Sequence, residues 1–264
     1  MSNIGDLSKT WVLVQCGTKK FAMNYKYINS MEDFAQAKCL KTTVITGIKR
    51  GLYNIAESDM VVLDGRKLVG EKSIETIKLE YSAFIDEMKT EILNWVDSLD
   101  WAIISPSKVE LDLTKFKLYK WLTNEADVKD IEIIKKRMIV PFREIFILAE
   151  DAIENKNNLE KGANYSVNIS EDIKDNIDRF ILKPLGRVVS MYNKDMDETC
   201  IVVNHKGMNY GLTVDNIIAV TELTDITPKY SEYKVIAGDC KYKSEIYSIF
   251  NVKYLSSLAN KLNN

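Results

Sequence analysis

Side chains that usually carry chemistry are sparse in this chain. Its one histidine, His205, lies in the turn-rich run NHKGMNYG, and a lone imidazole there reads as an exposed turn residue rather than a base or a ligand. The four cysteines, Cys16, Cys39, Cys200 and Cys240, are far apart and show no CxxC spacing. Neither a zinc knuckle nor a redox pair is built locally, and they read as small buried thiols of a reducing cytosol. The carboxylate pairs Glu150/Asp151 and Asp195/Asp197 read as solvated faces. There is no Gly-rich phosphate loop, nucleophile elbow or HExxH. The expectation is a protein without catalysis, cofactor or metal. The most ordered pattern is GLYNIAESDMVVLDGRKLVG, residues 51–70, which reads as two short strands and a helical turn. Gly51, Asn54 and Asp64 are spaced around Ala56 and Glu57, the positions where such a pattern would hold functional residues.

The elements that must position this stretch come in three blocks. From Thr10 to about Gly70, short β-rich runs alternate with turn residues: WVLVQC, KKFAMNY, GLYNIAE and DMVVLD. From about Lys72 the period changes from two to 3.6. Ile77, Tyr81, Phe84, Ile85, Met88, Ile92, Trp95, Leu99 and Ile103 form one stripe of a long helix that ends before Ser105-Pro106. Further helices are expected over 113–123, over 128–154 with a kink at Pro141, and over a stretch with Ile169, Ile173, Ile177 and Phe180 on one face, stopping at Pro184-Leu185-Gly186. ENKNNLEKGAN, 154–164, reads as a solvated loop. After Gly186 the period returns to two in RVVSMY, TCIVVN, MNYGLTV, NIIAVTEL, YKVIAG and EIYSIF, and a short helix, NVKYLSSLANK, follows.

With 264 residues, 46% of them apolar, the chain has ample material for packed cores. Its 36 basic and 38 acidic residues give a net charge of −2, so no single-sign field favours nucleic acid or an anionic membrane. The start MSNIGDLSKTWVLV has no basic stretch followed by an apolar run, and no segment approaches the ~20 apolar residues of a membrane span. A cytoplasmic protein is expected, with proteins or small molecules as partners. An antiparallel four-helix bundle inserted into one interrupted β domain accounts for two β blocks of comparable size.

Those two blocks resemble the halves of a CheW-like domain, the coupling module of bacterial chemotaxis. The first half of that family runs through Gly-x-x-Asn-x-Arg-Gly, a strand ending in Asp and a Leu-rich turn. Gly51, Asn54, Asp64 and Arg66-Lys67-Leu68-Val69-Gly70 match. The second half is marked by Gly-Leu-x-Val-Asp, present as Gly211–Asp215, and by Ile-x-Gly, present as Ile236-Ala237-Gly238. The resemblance covers about 140 residues. It implies an α+β protein in which two SH3-like five-stranded barrels share an interface, with residues 1–71 and 186–264 as the halves and 72–185 as the insert. It also implies a non-enzymatic adaptor between chemoreceptor cytoplasmic tips and the regulatory domain of a CheA-type histidine kinase. In the family the motif arginine lies in the groove that receptor helices enter. This chain has Ala56 there and Glu57 in place of the following glycine, so a cation is lost, a carboxylate is gained, and a re-specified partner surface is expected. Ile28, Ser30, Met31 and Asp59 are the other groove positions that the resemblance implies.

The helical block resembles the chemoreceptor zinc-binding domain, a four-helix bundle. Trp95, Leu118 and Trp121 match its motifs, whereas its four ligand positions fall on Ile92, Phe116, Phe142 and Phe146. None of these has a lone pair to offer zinc at about 2.0–2.3 Å. The site reads as converted to an apolar core, to which each side chain contributes about 1.5–3 kcal/mol on burial. The alternative is a ligand-sensing module in which Trp95, Trp101, Phe116, Trp121 and Phe142 line a pocket for a small molecule or a partner helix. A cavity among those residues would favour it. Purified protein should contain no stoichiometric zinc by elemental analysis, and a chelator should leave its Tm unchanged.

Overall fold

The computed structural model describes residues 8–42, 47–124, 129–156, 165–228 and 234–263. The chain divides into two compact units, one of residues 1–76 with 196–264 and one of residues 77–195. The first unit is β-rich and the second helical, a mixed α+β composition. Most of the loop expected over 154–164, and the start of the strand expected at YKVIAG, lie outside the described residues.

In the β unit the first block supplies β1 (Thr10–Cys16), β2 (Lys19–Asn24), β3 (Ile28–Asp33), β4 (Lys38–Thr42), β5 (Lys49–Ile55) and β6 (Ser58–Asp64), then the short helix α1 (Gly65–Leu68). Among the described residues two sheets form. Each draws on both blocks, because the second contributes β7 (Thr199–His205), β8 (Met208–Val214), β9 (Asn216–Glu222), β10 (Ile226–Pro228), β11 (Ile236–Tyr242) and β12 (Glu245–Phe250). One sheet runs β10-β11-β12-β2-β1-β9 and the other β3-β7-β8-β6-β5-β4. Each therefore has six strands rather than the five expected, and short edge strands, β10 and β4, complete them. The strands β3, β4 and β10 are absent from the sequence reading because their exposed or half-exposed residues carry no clear alternation.

Several strands bury both faces, which is why they read as nearly continuous apolar runs. On β1, Trp11 and Leu13 enter a core with Tyr247 and Ile249, while Val12 and Val14 enter another with Val61, Leu63, Ile201 and Val203. On β6 and β7 the opposite faces, Met60, Val62, Cys200 and Val202, form a third core with Ile55. Each sheet thus has its own interior and shares a central one, where Phe21 stacks on Phe250 at 4.5 Å and Leu255 of the terminal helix is buried. Cys16, Cys200 and Cys240 are buried as expected, but Cys39 is exposed, because β4 is an edge strand.

Two parallel pairings join the blocks: β6 to β8 through Val62↔Gly211, and β12 to β2 through Ser248↔Phe21. A Cβ at Gly211 would lie 2.8 Å from Cys200 Sγ and 3.0 Å from Val62, so this close approach excludes a side chain. The motif residues Arg66 and Asp215 also meet, with Arg66 Nε and Nη2 donating to the two carboxylate oxygens at 2.7 and 2.9 Å. Gly17 N donates to the same carboxylate at 2.8 Å.

The helical unit contains most of α2 (Ile74–Ile104), then α3 (Lys117–Thr123), α4 (Lys129–Asn155), α5 (Tyr165–Ile177) and α6 (Lys183–Asp195). The helix expected over 113–123 is split at Phe116, whose extended backbone separates a 3-10 turn at Leu113–Lys115 from α3. Pro141 lies inside α4, which continues through it. The helix after Ile169 does not stop at Pro184-Leu185-Gly186. A π turn at Asp178–Leu182 leads directly into α6, so RVVSMY is helical rather than the strand expected. The π turn widens the ladder ahead of Pro184, which has no N–H and whose ring would crowd the carbonyl four residues back. The buried face then runs Ile177, Ile181, Leu185, Val188, with Ile181 in the place expected for Phe180.

Ile92, Phe116, Phe142 and Phe146 are all buried in one core. Phe146 is its centre, with ring centroids 5.0 Å from Phe116, 5.1 Å from Phe142 and 4.5 Å from Trp95. Trp95 Nε1 is satisfied by the Glu110 carbonyl at 2.7 Å. Truncating Phe146 to Ala should destabilise the helical unit by about 3–5 kcal/mol, the usual cost of emptying an aromatic core position. Denaturant titration followed by tryptophan fluorescence would measure the loss.

Candidate protein-binding site

The stretch 51–64 is a hairpin of β5 and β6 closed by the pair Ile55↔Ser58. Ala56 and Glu57 are its two turn residues, both exposed, with φ of 47° and 63°. Positive φ at both positions defines the type I′ turn, whose hand matches the twist of the flanking strands and which favours Asn-Gly. Lys243-Ser244 and Lys206-Gly207 close two other hairpins in the same way. Neither Ala56 nor Glu57 is intrinsically suited to this conformation, so both are held in it by the strands.

The remaining expected positions divide between hairpin and edge. Gly51 has φ 154°, and a Cβ there would lie 2.7 Å from the Lys41 carbonyl, so it serves the approach of β4. Asn54 and Asp59 are cross-strand partners, and Asn54 Nδ2 donates to Asp59 Oδ1 at 2.6 Å. Ile28, Ser30 and Met31 lie on β3, at the opposite edge of this sheet's strand order. Ile28 and Met31 spend apolar surface on the central core, and Ser30 Oγ has no partner among the described residues. The segment after β3 nevertheless reaches β5, since Phe34 packs on Tyr53 with centroids 5.0 Å apart.

Sequence reasoning missed the most heavily bonded side chain of this region, Arg50. It is 4% exposed, and its Nη1 donates to Glu198 Oε2 at 2.5 Å and to Thr213 Oγ1 at 3.3 Å. Its Nη2 donates to Glu75, and the Phe34 ring covers the guanidinium with its centroid 4.6 Å from Cζ. Burial pushes the Glu198 carboxyl above its ordinary range against the pull of Arg50. Burial also raises Asp64, whose Oδ1 caps α1 by accepting from Lys67 N at 3.0 Å. The sequence reading leaves Arg50 without a role: it stands beside Lys49 at the start of β5, with no local signal of its distant partners.

Among the described residues no group of His, Cys, Asp and Glu is placed to hold a metal ion. A cleft of about 640 Å³ in the helical unit is lined by Asp172, Asp175, Asp178, Arg179 and neighbours, and not by the aromatic stripe. Trp95, Phe116 and Phe142 of that stripe are packed core, whereas Trp101 is 64% exposed. No helix among the described residues is long and apolar enough to cross a membrane.

No family model and no curated protein matches the chain. Among solved structures it is similar to the scaffolding protein TtCheW from Thermoanaerobacter tengcongensis, at 9% identity and a TM-score of 0.40, over 92% of this chain and 88% of that one.

Glu57→Gly should raise stability by about 1 kcal/mol by removing a side chain from the left-handed conformation. Glu57→Gln, which keeps the side chain and removes only the charge, should leave it unchanged. Thermal unfolding of the two variants beside the parent makes the comparison.

Proposed function

We propose that the chain is a non-enzymatic adaptor of the CheW-like kind. Its β unit couples chemoreceptor cytoplasmic tips to the regulatory domain of a CheA-type histidine kinase, and its helical unit is an inserted bundle whose ancestral zinc site has become aromatic core. The observation that carries this reading is the interleaving of the two sequence blocks into two sheets around a shared core, with the motif residues Arg66 and Asp215 in contact. Such a framework offers hairpin tips and sheet edges to a partner while ion pairs hold its joints. The hairpin tip carries Glu57 in place of the family's arginine-glycine pair, so the preferred receptor surface is one that presents a cation there.

Titrating the full chain against the kinase regulatory domain and a receptor tip should give micromolar binding to at least one. Glu57→Gln should then weaken receptor binding by about 1–3 kcal/mol, the range for a charge-assisted contact. An unchanged affinity would remove the hairpin tip from the interface. Absence of binding to both partners at tens of micromolar would favour a sensor whose helical unit is the recognition element.

A further inference from the structure

Within the β unit, Arg50 is bonded to one residue near the point where the chain leaves that unit and one near the point where it returns. The first segment of the β unit ends at residue 76 and the second begins at residue 196, so Glu75 and Glu198 each lie beside one of these crossings. Both carboxylates are held by the same guanidinium, one on each terminal nitrogen. The holding is reinforced on both sides. Ser73 Oγ accepts from Thr76 N at 3.2 Å at the start of α2, and Phe34 N donates to the Glu198 carbonyl at 2.9 Å while the Phe34 ring lies against Arg50. Thr213 Oγ1 of β8 also accepts from Arg50 Nη1, at 3.3 Å.

We infer that Arg50 is a clasp that couples the two crossings, so that loosening the chain where it leaves the β unit loosens it where it returns. The physical basis is that residues 77–195 amount to a long insertion whose ends must be kept together, and ordering such ends has a chain-entropy cost. A buried guanidinium shared by two carboxylates makes that ordering a joint property. When Glu75 is removed, Arg50 loses one of its two carboxylate partners and the only group on its Nη2 among the described hydrogen bonds, and Glu198 is left facing a less constrained cation. The coupling is reciprocal, as any linkage between two equilibria is. It depends on the geometry of the β unit alone and on no particular partner.

The test is hydrogen exchange on the full chain and on its Glu75→Gln and Glu198→Gln variants. Glu75→Gln should speed exchange roughly tenfold at the first amides of β7, beyond the far crossing, and Glu198→Gln should do the same at the first turns of α2. Amides in β1 and β2 should keep their protection in both. If each substitution affects only its own side of the chain, or neither changes exchange, Arg50 makes two independent ion pairs and the clasp is refuted. Glu75 is the more exposed partner, with 39% of its side chain accessible. Should Glu198→Gln fail to fold, Glu75→Gln alone therefore decides the matter by the presence or absence of the effect at β7.

Discussion

A strand with apolar side chains on both faces must be covered twice, and this requirement organises the β unit. Trp11 and Leu13 face one core, Val12 and Val14 another, and the same division recurs on β6 and β7. A single sheet exposed to water on one side would leave half of these residues solvated, at about 1.5–3 kcal/mol for each large side chain. Packing two sheets over a common core removes that exposure, and each sheet has a further buried cluster on its other face. What remains exposed is therefore the periphery: hairpin tips, edge strands and the ends of the sheets.

Among the described residues, two ion-paired joints carry charge into the interior of this framework. Arg66 and Asp215 form a fork-to-carboxylate pair that connects α1 to the end of β8, and Arg50 ties β5 to Glu75 and Glu198. Such pairs add little net stability over apolar packing, but losing one partner strands a buried charge and typically costs 3–5 kcal/mol. Their contribution is to specify which segments meet. In a unit assembled from two distant stretches of sequence, that specification is as important as the packing.

The long helix α2, the hairpin of 51–64 and the strand TCIVVN were all readable, because each carries a strong period or sharp turn chemistry, whereas the return to strands expected after Gly186 comes only at Thr199. The strands β3, β4 and β10 were not, since an edge strand buries too little of either face to impose alternation. RVVSMY was misread because a run of six with two adjacent valines fits both periods, and only continuity with Ile181 and Leu185 decides for the helix. Of the candidate site, the hairpin positions were named from the sequence, but that Ala56 and Glu57 are turn residues and Asn54 and Asp59 cross-strand partners was hidden, because sequence spacing says nothing of φ. Arg50 was missed altogether because its partners lie 25 and 148 residues away.

The interleaving of the two blocks also bears on how the protein is made. A ribosome delivers β1 to β6 first, then the whole helical unit, and only afterwards the strands that complete both sheets. At 5–20 residues per second, the first block waits on the order of 10 s for its partners. During that time β2 lacks β12 and β6 lacks β8, so apolar strand edges stand open beside the tunnel exit. The helical unit closes an aromatic core from its own residues and gains compactness early, while the sheets assemble last through contacts of very long sequence separation. Nascent chains halted before residue 196 would accordingly be substrates for chaperones that grip extended apolar segments, because both sheets stay open until the strands of residues 196–264 arrive.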